Sequence, residues 1–181
     1  MIAFVDESIL LAGHGCYVLG CVVLPADDKA QVRRAARKAI PAGRTFHWTK
    51  ERPEVRHAML QVIADHATHL LAYSHRPVVR REHEGARAEL LNALLDDLSA
   101  ANVRELVLES RQDHNDARDR QVIGSRSQRG DASLDYRHEG PRQEPLLWLA
   151  DALAGAVMSQ IRKDNRFIAA LPADRLAIRS H

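Results

Sequence analysis

Cysteine is scarce: Cys16 and Cys21 are the only two in 181 residues. On one extended segment a five-residue offset sends their side chains to opposite faces, so a mutual disulfide is disfavoured and no zinc pattern exists. Core thiols in a reducing cytoplasm are expected. Long apolar runs are also lacking. No stretch of about 18 apolar residues occurs that would cross a membrane, and the first residues show no basic segment followed by the long apolar run of a secretory signal. A cytoplasmic protein with no membrane partner is the expectation. Lysine is rare, four against twenty-two arginines. That bias suits bidentate phosphate recognition and follows equally from a GC-rich genome, and a net charge of +2 does not by itself argue for nucleic acid. There is no Gly-x-Ser-x-Gly elbow, no Gly-x-x-x-x-Gly-Lys loop and no Gly-x-Gly-x-x-Gly. Serine hydrolases, P-loop enzymes and dinucleotide enzymes are therefore disfavoured.

What is present reads as one domain over 1–181, with 45% hydrophobic and 28% charged residues, enough for a substantial core. The run Met1-Ile2-Ala3-Phe4-Val5 has no alternation and so suits a strand covered on both faces, spanning about 1–6. A turn over 10–15 leads to a second apolar strand over 15–24, antiparallel to the first. A helix is predicted over 29–39, ended by Pro41-Ala42-Gly43, then a short extended piece over 45–48. Further helices are read over 53–68, where Pro53 suits the first turn, and over 82–100, with a stripe of Leu90, Leu91, Leu94, Leu95 and Leu98. Strands are read over 70–74, 103–109 and 132–138, a polar Arg-rich loop over 110–131, and a last helix over 145–162. This is a mixed α/β order.

The acids stand in unlikely places. Asp6 ends the first strand, Glu109 ends the strand 103–109, and Asp151 lies inside Leu147-Trp148-Leu149-Ala150-Asp151-Ala152-Leu153-Ala154-Gly155. An unpaired buried carboxylate is costly, so each needs a cation, a metal or good hydrogen bonds. If the 103–109 strand lies parallel to the first and beside it, Asp6 and Glu109 become neighbours, and the last helix presents Asp151 to both. Carboxylates from several elements are what Mg²⁺ or Mn²⁺ requires, and two such ions about 3.5–4 Å apart serve phosphoryl transfer. Blander readings stand beside these: Asp6 capping a turn with Ser8, and Glu109 as an ordinary strand-end charge. Glu7 must point away from Asp6 if the strand continues. Asp116 is a candidate supporting ligand, or part of a solvated salt-bridge face with Asp119, Arg118 and Arg120.

His47, in Phe46-His47-Trp48-Thr49-Lys50, is the most site-like of ten histidines. With Lys50 it would orient a phosphate or a water, and Trp48 would stack on a base; a packed strand-end histidine is the alternative. Arg120, Arg126 and Arg129 make a local basic segment suited to a phosphodiester, although over 111–142 seven arginines face six acids.

Phe4-Val5-Asp6-Glu7-Ser8, the strand Tyr17-Val18-Leu19-Gly20-Cys21-Val22-Val23, Phe46-His47 and Leu149-Ala150-Asp151-Ala152-Leu153-Ala154-Gly155 together resemble the bacterial and phage domain-of-unknown-function 3800 family. The resemblance spans essentially the whole chain. It implies a ribonuclease H-like fold, a mixed sheet with the first strand central and helices on both faces. It also implies a metal site at Asp6, Glu109 and Asp151, and nuclease activity. The chain departs from the family at Ile9, where Gly usually follows Asp-Glu-Ser, and at Glu109, where Asp is commoner. No obvious Glu comes from the helix 53–68 to complete a four-carboxylate site, since Glu54 sits at its exposed start. Two functions are thus expected: a Mg²⁺- or Mn²⁺-dependent nuclease or phosphodiesterase acting on nucleic acid, or a nucleic-acid- or protein-binding module that keeps the fold without turnover. Oligomeric state stays open.

Overall fold

The structure, a computed structural model, describes residues 1–11, 13, 15–128 and 134–181. Six strands, β1 (Ile2–Leu10), β2 (Cys16–Leu24), β3 (His69–His75), β4 (Glu105–Glu109), β5 (Asp135–Glu139) and β6 (Leu176–Ser180), form one sheet ordered β5-β4-β1-β2-β3-β6. β1 is central, antiparallel to β2 and parallel to β4. Five helices cover it: α1 (Lys29–Lys38), α2 (Pro53–His66), α3 (His83–Ala100), α4 (Asp113–Gln128) and α5 (Leu147–Ile161). Among the described residues no helix is long and apolar enough to cross a membrane.

Residue parity sorts the core. In β1 and β2 the even-numbered side chains (Ile2, Phe4, Val18, Val22) pack with α1, α2 and α5. The odd ones (Ala3, Val5, Tyr17, Leu19) pack with the leucine stripe of α3 and with Ile123 of α4. β1 and β2 are therefore apolar on both faces, which explains the runs without alternation. Cys16 and Cys21 fall on opposite faces and are free thiols; burial pushes Cys21 far above its ordinary pKa.

The fold is the expected one, and several elements differ from their sequence reading. β1 runs on to Leu10 as the arm of a hairpin with β2, in which Leu10 pairs Cys16. Residues 45–48 are not a strand: a 3₁₀ turn, Trp48–Lys50, starts there. The predicted loop over 110–131 is helix α4 as far as Gln128. The helix buries Asp116, Asp119 and Ile123, so its inward face is half charged and shows no apolar period. Edge strand β6, parallel to β3, was not expected; its Ile178 is exposed, and its side chains give no buried run.

α5 lies unusually close to the sheet. A Cβ on Gly20 of β2 would stand 2.9 Å from both the Ala150 carbonyl oxygen and the Ala154 nitrogen. Gly20 is also the register partner of Asp6. The small residue thus lowers the helix onto the sheet beside that acid. Gly20→Ala should force the helix outward and cost about 1–3 kcal/mol, the usual penalty for overpacking. The expected outcome is a lower urea midpoint with an unchanged slope; wild-type stability would show that the close contact is not a constraint.

Candidate metal centre

Asp6, Glu109 and Asp151 meet on the face covered by α5. The last β1–β4 register pair is Val5 with Leu108, so Asp6 and Glu109 occupy the next position along two adjacent parallel strands. Both follow the parity of the α5 side. Asp151 projects from α5, one residue beyond the Ala150 carbonyl that touches Gly20. Asp6 and Asp151 are 7% and 8% exposed. Glu109 and Asp151 line an open pocket of about 290 Å³ together with Thr45, His47, Lys50 and Arg142, among others, and Asp6 lies behind it, in hydrogen-bond contact with Glu109.

Charge is crowded here. Burial, then the hydrogen bond and charge of Glu109, then the charges of Glu7 and Asp151, push the Asp6 carboxyl well above the ordinary carboxylate range. Glu109 is raised as well, by burial, with Glu7 and Asp151 adding to the rise and the hydrogen bond from Asp6 offsetting part of it. Both carboxyls are thus held above the ordinary range by burial and by their nearness to other acids. Oδ1 of Asp6 accepts the Glu7 backbone N–H at 2.7 Å. No arginine or lysine forms an ion pair with Asp6, Glu109 or Asp151 among the described residues.

Asp151 is anchored from one side. Its Oδ2 accepts the Trp48 backbone N–H at 2.8 Å and lies 3.3 Å from His47 Nδ1. This accounts for an acid inside an apolar helix, and Oδ1 carries no hydrogen bond among the described residues. The bond to Asp151 raises the His47 pKa, with burial opposing it. The His47 side chain remains 52% exposed at the pocket. The donor set therefore fits a hard divalent cation: all-oxygen ligands from three elements, and no arginine or lysine paired to them among the described residues.

The remaining sequence candidates scatter. Lys50 lines the pocket, but Trp48 does not. The Trp48 indole is buried edge-to-face on Phe167, with ring centres 4.9 Å apart, under the Arg56 guanidinium and against Gly155, where a Cβ would come within 2.2 Å of the ring. Stacking on a base is thereby corrected to packing. Asp116 lies on the opposite face of the sheet. Its carboxylate accepts from the Ser110 hydroxyl at 2.8 Å and the Arg111 N–H at 3.0 Å, closing the turn into α4. Arg120 is exposed on α4; Arg126 ties that helix to α3 through Asp96 and the Asn92 carbonyl. Neither lies at the pocket, and the basic mobile loop expected there is helix. Arg129 lies outside the described residues.

Asp116, Asp119 and His138 bring their ligand atoms within 4.8 Å of one another, yet this second cluster is already neutralised. Arg87, 1% exposed, holds Asp119 through two bonds of 2.9 and 2.8 Å and reaches Glu7 at 2.6 Å. His138 and Arg111 each approach Asp119 at 3.2 Å. Burial alone would raise Asp119, but the His138 and Arg87 bonds hold it far below the usual range. Sequence reasoning missed Arg87, which sits unannounced on the apolar side of α3. It also missed Arg142 and Thr45 at the pocket, and Glu139, the register partner of Glu109, which pairs with Arg137 at 3.4 Å. None of these belongs to a motif.

No protein-family model matches the chain, and no curated protein does. Among solved structures it is similar to a chain in the structure of the PCNA:RNase HII complex from Archaeoglobus fulgidus, at 13% identity and a TM-score of 0.51. The match covers 96% of this chain and 82% of that one. At that identity the likeness speaks for the fold alone, which is ribonuclease H-like.

Two stability measurements separate the clusters. Because Asp6 and Glu109 are raised in the folded state, the native protein binds more protons than the unfolded chain above the ordinary carboxylate pKa. Stability without metal should therefore fall as pH rises from that range through the raised values. Saturating Mn²⁺ should reverse the loss, by about 2.7 kcal/mol at a hundredfold excess over Kd. Asp6→Asn should flatten the pH dependence and lose the Mn²⁺ response; thermal unfolding against pH reads both, and a wild-type profile in the variant would remove Asp6 from the site. Arg87→Ala, by contrast, should cost about 3 kcal/mol at neutral pH, because it takes from buried Asp119 and half-buried Glu7 the guanidinium that both share, leaving only the Arg111 guanidinium nearby. A urea midpoint within error of wild type would refute that role.

Proposed function

We propose that this chain is a Mg²⁺- or Mn²⁺-dependent phosphodiesterase acting on nucleic acid, a divergent member of the 3800 family. The reading rests above all on three acids from three elements, Glu109 and Asp151 lining one pocket and Asp6 hydrogen-bonded to Glu109 behind it, with no arginine or lysine paired to them among the described residues. The ribonuclease H-like fold and the RNase HII named in the similar structure support it by analogy. Asp6, Glu109 and the free oxygen of Asp151 would hold the cation. When bound, it would lower the pKa of an attacking water and neutralise charge developing on the phosphoryl oxygens.

The chain's own residues supply the rest. Glu109 and Asp6, on adjacent parallel strands, would offer their carboxylates as ligands. The Trp48 N–H and His47 hold Asp151 in one orientation. Lys50 and Arg142 line the pocket as cations able to meet non-bridging phosphate oxygens. His47, exposed at the rim and oriented by Asp151, is placed to pass a proton to the departing oxygen.

Asp151→Asn keeps an acceptor for the Trp48 N–H and should leave the fold intact. It should lower metal-dependent cleavage of labelled DNA or RNA by at least about a hundredfold. His47→Gln should lower kcat by about the same factor while preserving the Mn²⁺ stabilisation. Wild-type cleavage by the Asp151 variant would end the proposal. Metal binding with no cleavage of any nucleic acid would leave the protein a binding module.

A further inference from the structure

The acid pocket is one end of a longer feature. It opens into a groove of about 960 Å³, and Thr45, Lys50, Arg142 and Trp148 line both. One wall is the end of α1 and the loop after it, contributing Arg37, Pro41 and Arg44; the other carries Arg142, Pro145 and Trp148. The two walls are clamped together. Arg33 of α1 grips the Glu144 carboxylate through its Nε at 2.9 Å and its Nη2 at 2.5 Å, and Arg37 stands one helical turn further along the same face.

The groove's charge is of one sign. Four cations line it, Arg37, Arg44, Lys50 and Arg142, and among its described lining residues there is no carboxylate. Arg37, Lys50 and Arg142 are exposed and form no ion pair among the described residues. Arg44 pairs with Glu51 at 2.8 Å but keeps half its side chain in solvent. Carboxylates begin where the pocket begins, at Glu109 and Asp151. Between the cations the lining is apolar: Pro41 is exposed, and Ile40, Pro145 and Trp148, otherwise buried, show only an edge to the groove, the Trp148 ring being fixed by its N–H to the Pro141 carbonyl at 2.8 Å.

We propose that this groove is the track of a single-stranded nucleic acid. Its phosphates meet Arg37, Arg44, Lys50 and Arg142, and one phosphate is led down to the acids; the inference rests on the phosphodiesterase reading above. A cationic line with apolar intervals is the arrangement single strands require, since phosphate and base alternate along them. A duplex needs a broad basic face instead. Here the cations line a walled trough, and the acids at its end are recessed.

Fluorescence anisotropy of the Asp6→Asn protein in EDTA tests this without cleavage or metal, so its failure is distinguishable from failure of the metal site. The probes are labelled oligo-dT and oligo-U of about twelve nucleotides and a duplex of equal length, titrated between about 50 and 300 mM KCl. Four phosphate contacts predict a slope of log K against log salt near −3 for the single strands, at roughly −0.7 per contact. Adding Arg37→Ala and Arg142→Ala should make the slope shallower by about 1.4 and weaken single-strand binding at least about tenfold at low salt. Both side chains are exposed and unpaired, so folding should be unaffected, and the thermal midpoint checks it. Unchanged binding by that variant, duplex bound more tightly than single strand, or no binding at the lowest salt would each overturn the proposal.

Discussion

The contact between the backbone of α5 and Gly20 sets the rest of the site. A helix over a sheet ordinarily stands off by the thickness of two side-chain layers. Here one layer is missing: a hydrogen on β2 faces Ala150 and Ala154, and the helix drops onto the sheet. Because Gly20 pairs with Asp6 in the β1–β2 register, the drop happens beside the first acid. The next helical residue, Asp151, is thereby brought to the pair formed by Asp6 and Glu109. One turn further on, Gly155 makes room for the Trp48 indole, whose backbone N–H holds Asp151. A stripe of small residues on one helix thus positions both the carboxylate and its anchor.

The two faces of β1 show opposite ways of handling charge. Asp6 and Glu7 are consecutive, so strand parity sends them to opposite sides of the sheet. Glu7 enters a network in which Arg87, Asp119, Arg111 and His138 compensate one another, and the Asp119 pKa falls. That network joins α3, α4, β1 and β5 where the apolar layer gives out. Its carboxylates and histidine resemble a metal site by spacing alone; the carboxylates already accept from the Arg87 guanidinium and contact the His138 ring.

Much of this was legible in the sequence, for identifiable reasons. Unbroken apolar strands reveal a sheet covered on both faces, and Asp151 stands out because its neighbours are all apolar. Neighbouring positions for Asp6 and Glu109 follow once β4 is taken as parallel to β1. What escaped was whatever periodicity does not encode. α4 turns Asp116 and Asp119 inward together with Ile123, so a buried helical face reads as a polar loop. Arg87 is concealed in a leucine stripe, and its partners lie 80 and 32 residues away. Trp48 beside His47 looked like a binding ring, but only the three-dimensional position of Gly155 shows that its face is taken. Arg142 becomes interesting only when the Arg33–Glu144 clamp sets it across from Arg37.

The contrast between adjacent residues is the strongest reason to regard the acid pocket as functional. The fold can neutralise a carboxylate: at half-buried Glu7 it supplies a guanidinium at 2.6 Å, from a side chain that is itself 1% exposed. One residue earlier it supplies none, and burial with the nearby Glu109, Glu7 and Asp151 raises the Asp6 carboxyl instead. If the acids served stability alone, an apolar residue at position 6 would do better, since every other even-numbered position of the buried half of β1 is apolar. The contrast between these adjacent acids is what supports the proposed cation site. Lys50 and Arg142 line the same pocket and form no ion pair with its carboxylates among the described residues.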